Sequence, residues 1–182
     1  TDAFVAGHAS SSVSIALGMA RARTLMNEDY DVVALIGDGA ATGGMAYEGL
    51  NDAADSKEPL LIILNDNEMS IDRNVGGMSK HLSKLRTKDR YLGMKQHYRD
   101  VLAKIPGGKA VYSVTSHVKG WIKRSILPTT MFENMGLTYL GPVDGHDVNE
   151  LIRVMRVAKE LRSPVLLHVF TQKGCGYLPA EE

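Results

Sequence analysis

A glycine-rich loop with one carboxylate has the clearest chemical potential in this sequence. It reads Gly37-Asp-Gly-Ala-Ala-Thr-Gly-Gly44 and lies between an apolar run and a segment of helical composition. At such a junction, backbone N–H groups and a helix N-terminus can hold a phosphate. The loop has no Gly-Lys-Ser/Thr, so it is not a Walker P-loop. Thr42 stands where the dinucleotide-binding pattern Gly-x-Gly-x-x-Gly needs its third glycine, so the loop does not match that pattern either. Asp38 would repel a diphosphate unless a cation lay between them, so phosphate binding here requires a metal.

A second polar loop offers a partner for Asp38. Asn65-Asp-Asn-Glu-Met-Ser70 follows the next apolar run, so Asn67 comes one strand-helix-strand unit after Asp38. Magnesium prefers oxygen ligands and commonly takes one or two from the protein and the others from phosphate and water. The Asp38 carboxylate, the Asn67 amide oxygen and a nearby carbonyl oxygen fit that requirement. Gly-Asp-Gly alone is common in turns, but the two loops together predict a metal-bound phosphate site.

Alternating strands and helices are predicted to position these loops. The apolar runs 31–36 and 60–64 lack period-2 alternation, which is typical of parallel strands buried on both faces. The other expected elements are a helix capped by Ser10, Ser11 or Ser12, helices over 45–54 and 148–161, strands over 137–140 and 165–170, and a loop over 141–147 ending in the capping pair Asp147 and Glu150.

This order of elements predicts an α/β domain with a mostly parallel sheet and helices on both faces. Ligands of such sheets bind beyond the carboxyl ends of the strands, which here are the loops starting at Gly37, Asn65, Gly141 and Thr171. A helical insertion is expected around 78–127, where apolar residues between Val111 and Ser125 recur at three-to-four spacing. We interpret that stripe as core packing.

Composition narrows the class of protein. The chain has 182 residues, 44% apolar and 23% charged, which suits one globular domain. Lys+Arg and Asp+Glu number 21 each, a balance that argues against a nucleic-acid partner, and no apolar run approaches the ~18 residues that suggest a membrane span. The single cysteine, Cys175, excludes an internal disulfide and fits a reducing cytosol. Thr1 opens no signal-peptide pattern, and we interpret the start as the interior of a longer chain.

Five segments carry a recognisable combination of motifs. They are Ala6-Gly-His-Ala-Ser-Ser-Ser12, Ile36–Glu48, Ile63-Leu-Asn-Asp-Asn-Glu-Met-Ser-Ile71, Tyr139-Leu-Gly-Pro-Val-Asp-Gly-His-Asp147 and Thr171-Gln-Lys-Gly-Cys-Gly-Tyr177. Gly-Asp-Gly followed at this interval by Asn-Asp-Asn resembles the signature for thiamin diphosphate and Mg²⁺. The five segments together resemble the 1-deoxy-D-xylulose-5-phosphate synthase family over nearly the whole chain, and they separate it from transketolase and pyruvate dehydrogenase.

The resemblance implies a thiamin-diphosphate-binding fold and a metal and diphosphate site. Asp38 and the Asn67 side chain would bind Mg²⁺ together with the main-chain oxygen of Met69. Gly39 and Ala40 would contact the diphosphate.

The resemblance also implies contacts from two other loops. Gly7, His8 and Ala9 would approach the cofactor, with His8 near the reacting thiazolium as the candidate catalytic residue. Lys173 and Tyr177 would face the phosphate end of the cofactor.

The sequence departs from the family at three positions: Ala9 replaces a usual serine, Ala41 a usual leucine and Cys175 a usual basic residue. The histidines outside the motifs are interpreted as structural; they are His81, His97, His117 and His168. No role follows from the sequence for His146.

The family reaction joins pyruvate and D-glyceraldehyde 3-phosphate with loss of CO₂, giving a precursor of isoprenoids, thiamin and pyridoxal. The resemblance therefore implies a thiamin-diphosphate-dependent transferase, homodimeric and in the bacterial cytoplasm. Residues 1–182 are expected to form its diphosphate-binding domain, incomplete at the N-terminus. The pyrimidine-activating and C-terminal domains are expected to lie outside the 182 residues, so we expect the isolated chain to be inactive.

Two alternatives remain open at this point. One is a free-standing subunit of a split transketolase-like enzyme. The other is a Mg²⁺-dependent nucleotide-binding α/β domain, although the missing P-loop lysine argues against it.

Overall fold

A computed structural model describes residues 3–4, 7–69, 75–86 and 131–181 of the chain. Their sheet has four parallel strands in the order β1-β2-β4-β3. The strands are β1 (Val33–Gly37), β2 (Leu60–Asp66), β3 (Thr138–Asp144) and β4 (Pro164–Phe170). The expected α/β architecture with a parallel sheet is confirmed.

The helices of the described residues alternate with these strands. They are α1 (Ser12–Leu25), a 3₁₀ turn (Ala40–Thr42), α2 (Gly44–Ser56), α3 (Gly77–Arg86), α4 (Met131–Met135), α5 (Val148–Glu160) and α6 (Leu178–Glu181). Helix α3 coincides with the start of the expected helical insertion, and the rest of that prediction, up to 127, lies outside the described residues. Within the described part of the chain, no helix has the length and apolar character needed to cross a membrane.

Helices cover both faces of the sheet and bury two groups of apolar side chains. Helices α1 and α2 lie over one face, against the even-numbered residues of β1 and β2. Helix α5 lies on the other face, against β3 and β4, where Leu167 and Val169 are buried. Full burial of one such side chain contributes about 1.5–3 kcal/mol. The two cores fix the strands, and thereby the loops at their carboxyl ends.

Strand β1 corrects one expectation. The sequence predicts burial on both faces, but Val33 is 47% and Leu35 65% exposed, whereas Ala34 and Ile36 are buried. Among the described elements β1 pairs only with β2, and α5, which lies on the face of Val33 and Leu35, packs over β3 and β4 and leaves β1 uncovered. A run of branched residues therefore does not distinguish an edge strand with one covered face from a central strand.

Strand β3 is longer than expected. The sequence predicts a strand over 137–140 and a loop from Gly141, but pairing with β4 resumes at Val143 after a register shift and continues to Asp144. Gly141 has φ of +115°, and a Cβ there would clash with the His168 carbonyl oxygen. The close approach of β3 and β4 thus requires glycine at this position, and the loop begins at Gly145.

The helix-capping predictions have mixed outcomes. Asp147 caps α5 by accepting a hydrogen bond from Glu150 N–H at 3.0 Å, whereas the Glu150 side chain pairs with Arg153 at 3.1 Å. Ser11 is the N-cap residue of α1 but makes no side-chain cap, since its hydroxyl donates to the His8 carbonyl oxygen.

Candidate functional site

Three strand ends are tied together where the sequence predicts a site. Asp38 N–H donates to the Asn65 carbonyl oxygen at 3.0 Å, which joins the loops after β1 and β2. Thr171, just after β4, donates its N–H to the Asp66 carbonyl oxygen at 2.9 Å and its hydroxyl to Asn65 Oδ1 at 2.8 Å. The predicted loops at Gly37, Asn65 and Thr171 therefore form one connected edge.

Asp38 is buried at this edge with one carboxylate oxygen unsatisfied. The residue is 3% exposed, and its Oδ1 accepts the Gly39 N–H at 2.9 Å. Oδ2 is buried and has no hydrogen-bond donor among the described residues. Burial raises the pKa of Asp38, and the nearby Asp66 carboxyl group raises it further, while the Gly39 and Glu68 N–H groups act in the opposite direction.

The loop after β2 folds back on itself through its own side chains. Asp66 Oδ1 accepts the Glu68 N–H at 3.2 Å, and Asn67 Oδ1 accepts the Met69 N–H at 3.0 Å. Glu68 has φ of +63°, which is costly for a residue with a side chain. The two side-chain acceptors hold that conformation and fix the Asn67 amide oxygen close to the backbone of its own turn.

These residues fit a divalent cation. Two neighbouring buried carboxylates, Asp38 and Asp66, are unfavourable together, and a cation would satisfy the unpaired Asp38 oxygen. Asn67 Oδ1 has a second lone pair beyond the one used by Met69 N–H. Nowhere in the described ranges do three His, Cys, Asp or Glu side chains converge as metal ligands. Mg²⁺ typically takes a few oxygen ligands from the protein and the rest from phosphate and water.

The glycine-rich loop leads from Asp38 into α2. Gly39 and Ala40 enter the 3₁₀ turn, and the Thr42 hydroxyl donates to the Gly39 carbonyl oxygen at 2.7 Å. Helix α2 then begins at Gly44 with no side-chain cap. An uncapped helix N-terminus favours an anion. The resemblance assigns Gly39 to a diphosphate contact, and in this structure its N–H donates to Asp38.

The His8 turn lies against the same loop. Ser10 donates its hydroxyl to the Ala40 carbonyl oxygen at 2.7 Å and has φ of +70°. A Cβ at Gly43 would clash with the Ser10 hydroxyl, so glycine is needed for this close approach. Gly7, His8 and Ala9 precede Ser10 and are exposed. The structure thus brings the predicted His8 segment beside the glycine-rich loop.

Lys173 and Tyr177 lie on the loop after β4, which starts from the same edge. Both are exposed, Tyr177 at 65%. No hydrogen bond joins either side chain to Asp38 or Asn67 within the described part of the chain. The strand ends therefore meet around Asp38 and the Asn65–Asn67 loop, whereas these two side chains point to solvent.

His146 acquires a role that the sequence did not indicate. Its ring Nε2 accepts the Gln172 backbone N–H at 2.9 Å, and the backbone N–H of His146 donates to Asp144 Oδ1 at 2.9 Å. It therefore ties the loop after β3 to the loop that carries Lys173. The Gly145 N–H adds a 2.8 Å bond to the Phe170 carbonyl oxygen.

Sequence reasoning also missed a buried polar group that contacts the loop after β2. His168 is fully buried, and its two ring nitrogens lie 3.0 Å from Asp66 Oδ2 and 2.8 Å from the Tyr139 hydroxyl. The interpretation of His168 as structural did not anticipate its contact with the Asn-Asp-Asn loop. The available signal was a histidine in the apolar run of β4, one strand away from that loop.

Comparison with known proteins gives close sequence relatives. The family model described as 1-deoxy-D-xylulose-5-phosphate synthase matches residues 1–171. Proteins of that name from Clostridium tetani and Clostridium kluyveri are 52% and 50% identical to the chain over 182 residues, which is all of it. One from Pelotomaculum thermopropionicum is 51% identical over 180 residues, or 99% of the chain. The chain spans only 28–29% of the length of these relatives.

A solved structure gives a similar fold. Transketolase from Campylobacter jejuni matches 93% of the chain and 20% of its own length, with a TM-score of 0.54 and 22% sequence identity. At that identity, the likeness concerns the arrangement of the sheet and its helices.

Proposed function

Because the chain belongs to the 1-deoxy-D-xylulose-5-phosphate synthase family, we propose that it forms the part of such a synthase that binds the diphosphate and metal of thiamin diphosphate. The observation that carries this proposal is the unsatisfied, buried Asp38 carboxylate at the joined ends of β1 and β2. Most buried side-chain oxygens are hydrogen-bonded, so an unpaired one calls for an explanation. A metal ligand needs an oxygen that is kept free of a hydrogen-bond donor.

Asp38 and Asn67 are proposed to hold Mg²⁺, with the Met69 carbonyl oxygen as the third protein ligand. The proximity of Asp66 supports a divalent cation, because the local negative charge exceeds that of one carboxylate. Gly39 and Ala40 would lie against the diphosphate, and the α2 N-terminus would complement its charge. A neutral protein can thus bind an anionic cofactor without a basic surface.

The other predicted residues would orient the reacting end of the cofactor and its phosphates. Thiamin diphosphate, when bound, supplies the chemistry of decarboxylation and carbon–carbon bond formation. His8 would lie near the thiazolium and Gly7 and Ala9 would also approach the cofactor, next to the Ser10–Ala40 hydrogen bond. Lys173 and Tyr177 would face the phosphate end, from the loop that His146 holds at Gln172.

The proposed reaction of the full-length protein is the condensation of pyruvate with D-glyceraldehyde 3-phosphate and the loss of CO₂. We expect a homodimer in the bacterial cytoplasm. The 182 residues correspond to 29% of the Clostridium tetani relative, so we expect carboligation to need residues beyond this stretch. Measurable carboligation by the purified 182-residue chain would contradict that expectation.

Alanine substitutions at the two ligand side chains test the proposal. In the full-length protein, Asp38→Ala and Asn67→Ala are expected to abolish Mg²⁺-dependent binding of thiamin diphosphate, measured by calorimetry, with an unchanged circular dichroism spectrum. Matched controls are Asp29→Ala and Asn51→Ala, which remove the same side-chain types at exposed positions away from the strand ends. Normal binding by both ligand variants would refute the metal assignment.

A further inference from the structure

A chain of polar side chains, half-buried at Tyr139 and buried at His168 and Asp66, runs from β3 to the candidate metal site. The Tyr139 hydroxyl lies 2.8 Å from His168 Nδ1, and His168 Nε2 lies 3.0 Å from Asp66 Oδ2. Asp66 in turn neighbours Asp38. His168 is fully buried and Asp66 is 1% exposed, so water does not replace these contacts.

The partners of His168 determine how its hydrogen atoms are placed. A carboxylate only accepts, so Nε2–H donates to Asp66, and the Tyr139 hydroxyl is the hydrogen-bond partner of Nδ1. The Tyr139 ring is stacked on the buried Phe132 ring, with 6.1 Å between centroids and 3° between planes. The absence of a side chain at Gly141 lets β3 approach the His168 backbone closely. Packing and hydrogen bonding therefore hold the imidazole in one orientation.

Asp66 connects this group to the ligands. Its carbonyl oxygen accepts the Thr171 N–H at 2.9 Å, and its Oδ1 accepts the Glu68 N–H at 3.2 Å. The second bond holds the left-handed turn that presents the Asn67 amide oxygen and the Met69 backbone. A displacement of the Asp66 carboxylate would move the turn as well as the charge beside Asp38.

We propose that His168, oriented by Tyr139, is a positioning residue that sets the affinity of the Asp38–Asn67 site for a divalent cation by fixing the Asp66 carboxylate. The inference rests on the proposed function. A buried hydrogen-bonded pair of polar groups is often no more stabilising than apolar side chains of similar volume. Stability alone therefore gives no reason for histidine and aspartate inside the sheet, whereas partners behind metal ligands commonly change metal affinity 10- to 100-fold.

Mn²⁺ in place of Mg²⁺ makes binding visible by electron paramagnetic resonance. The full-length protein is titrated with Mn²⁺ in the presence of thiamin diphosphate, and the dissociation constant is read from the signal of free Mn²⁺. His168→Leu, which keeps the volume and removes both nitrogens, is expected to weaken Mn²⁺ binding by about 10- to 100-fold. His168→Gln keeps an N–H near the position of Nε2 and is expected to restore affinity to within about threefold of the parent.

Two further variants separate positioning from general destabilisation. Leu167→Ala removes a fully buried side chain from the opposite face of the same strand; it is expected to lower the unfolding temperature and leave Mn²⁺ affinity unchanged. Tyr139→Phe removes only the hydroxyl that orients the imidazole and is expected to weaken Mn²⁺ binding by about three- to tenfold. This variant decides the question if His168→Leu does not fold.

The outcomes distinguish this inference from the proposed function. Unchanged Mn²⁺ affinity in folded His168→Leu, or in Tyr139→Phe if His168→Leu does not fold, would overturn the role of His168 and leave the metal site intact. Equal weakening by Leu167→Ala, or by His168→Gln and His168→Leu alike, would also overturn it. A parent protein that binds no Mn²⁺ with thiamin diphosphate would overturn the proposed function and this inference with it.

Discussion

Replacing Asp38 by asparagine should make the metal-free protein more stable while removing the carboxylate that is proposed to bind the metal. The substitution exchanges the unsatisfied buried Oδ2 for an amide that can donate to Asp66. Leaving a buried polar group unsatisfied costs about 1–3 kcal/mol. The Gly39 and Glu68 N–H groups already offset part of that cost. We therefore expect Asp38→Asn to raise the free energy of unfolding by about 1–2 kcal/mol in EDTA.

Binding of Mg²⁺ and thiamin diphosphate should make the parent more stable than Asp38→Asn. At about 100 times the dissociation constant, a ligand that binds only the folded state stabilises it by about 2.7 kcal/mol. The parent should gain that amount with Mg²⁺ and thiamin diphosphate, and Asp38→Asn should gain none, so that the parent becomes the more stable by about 1 kcal/mol.

Thermal unfolding of the purified chain measures both differences. For 150–250 residues, 1 kcal/mol corresponds to about 2–4 °C, so the variant should melt about 2–8 °C higher than the parent in EDTA. Asp29→Asn, at an exposed position, is the control and should follow the parent in both conditions. A variant that is less stable than the parent in EDTA, or that still gains from ligand, would refute the reasoning.

Three other predictions follow from the same contacts. In EDTA, the pKa of Asp38 in the folded protein lies above its unfolded value near 3.8, so protonation of Asp38 stabilises the fold fully below pH 3.8 and this stabilisation is lost as the pH rises through the folded pKa. The stability advantage of Asp38→Asn over the parent, measured by chemical denaturation, should therefore shrink as the pH falls toward 3.8. Gly43→Ala should cost about 1–3 kcal/mol and break the Ser10 hydrogen bond, measured by denaturation, because its Cβ would clash with the Ser10 hydroxyl. His146→Phe should speed hydrogen exchange of the Gln172 amide by about 5- to 10-fold with little change in overall stability, because it removes that amide's acceptor.

Local patterns in the sequence were sufficient to predict the elements that carry the site. The runs before Gly37 and Asn65 are strands, and Asp38 lies buried where a carboxylate between glycines had suggested a metal. The spacing of the two loops predicted that they lie side by side, because parallel strands that are neighbours in a sheet end at the same edge. That Asp147 caps α5 follows from its position three residues before Glu150.

Contacts between segments distant in sequence were not accessible to the same reasoning. The role of His168 depends on the pairing of β4 with β2, which places it beside Asp66. The exposure of Leu35 depends on which elements cover each face of the sheet. The extension of β3 past Gly141 depends on pairing resumed after the register shift. Each of these three features depends on the order of the strands in the sheet, which local patterns in a single sequence do not determine.

Calorimetry with two cofactors tests the central claim most directly. The full-length protein is titrated with thiamin diphosphate and with ATP, each with and without Mg²⁺. The proposed function predicts that thiamin diphosphate binds only when Mg²⁺ is present, that ATP does not bind, and that Asp38→Ala abolishes the signal. Binding of ATP without binding of thiamin diphosphate would contradict the claim and favour a nucleotide-binding domain.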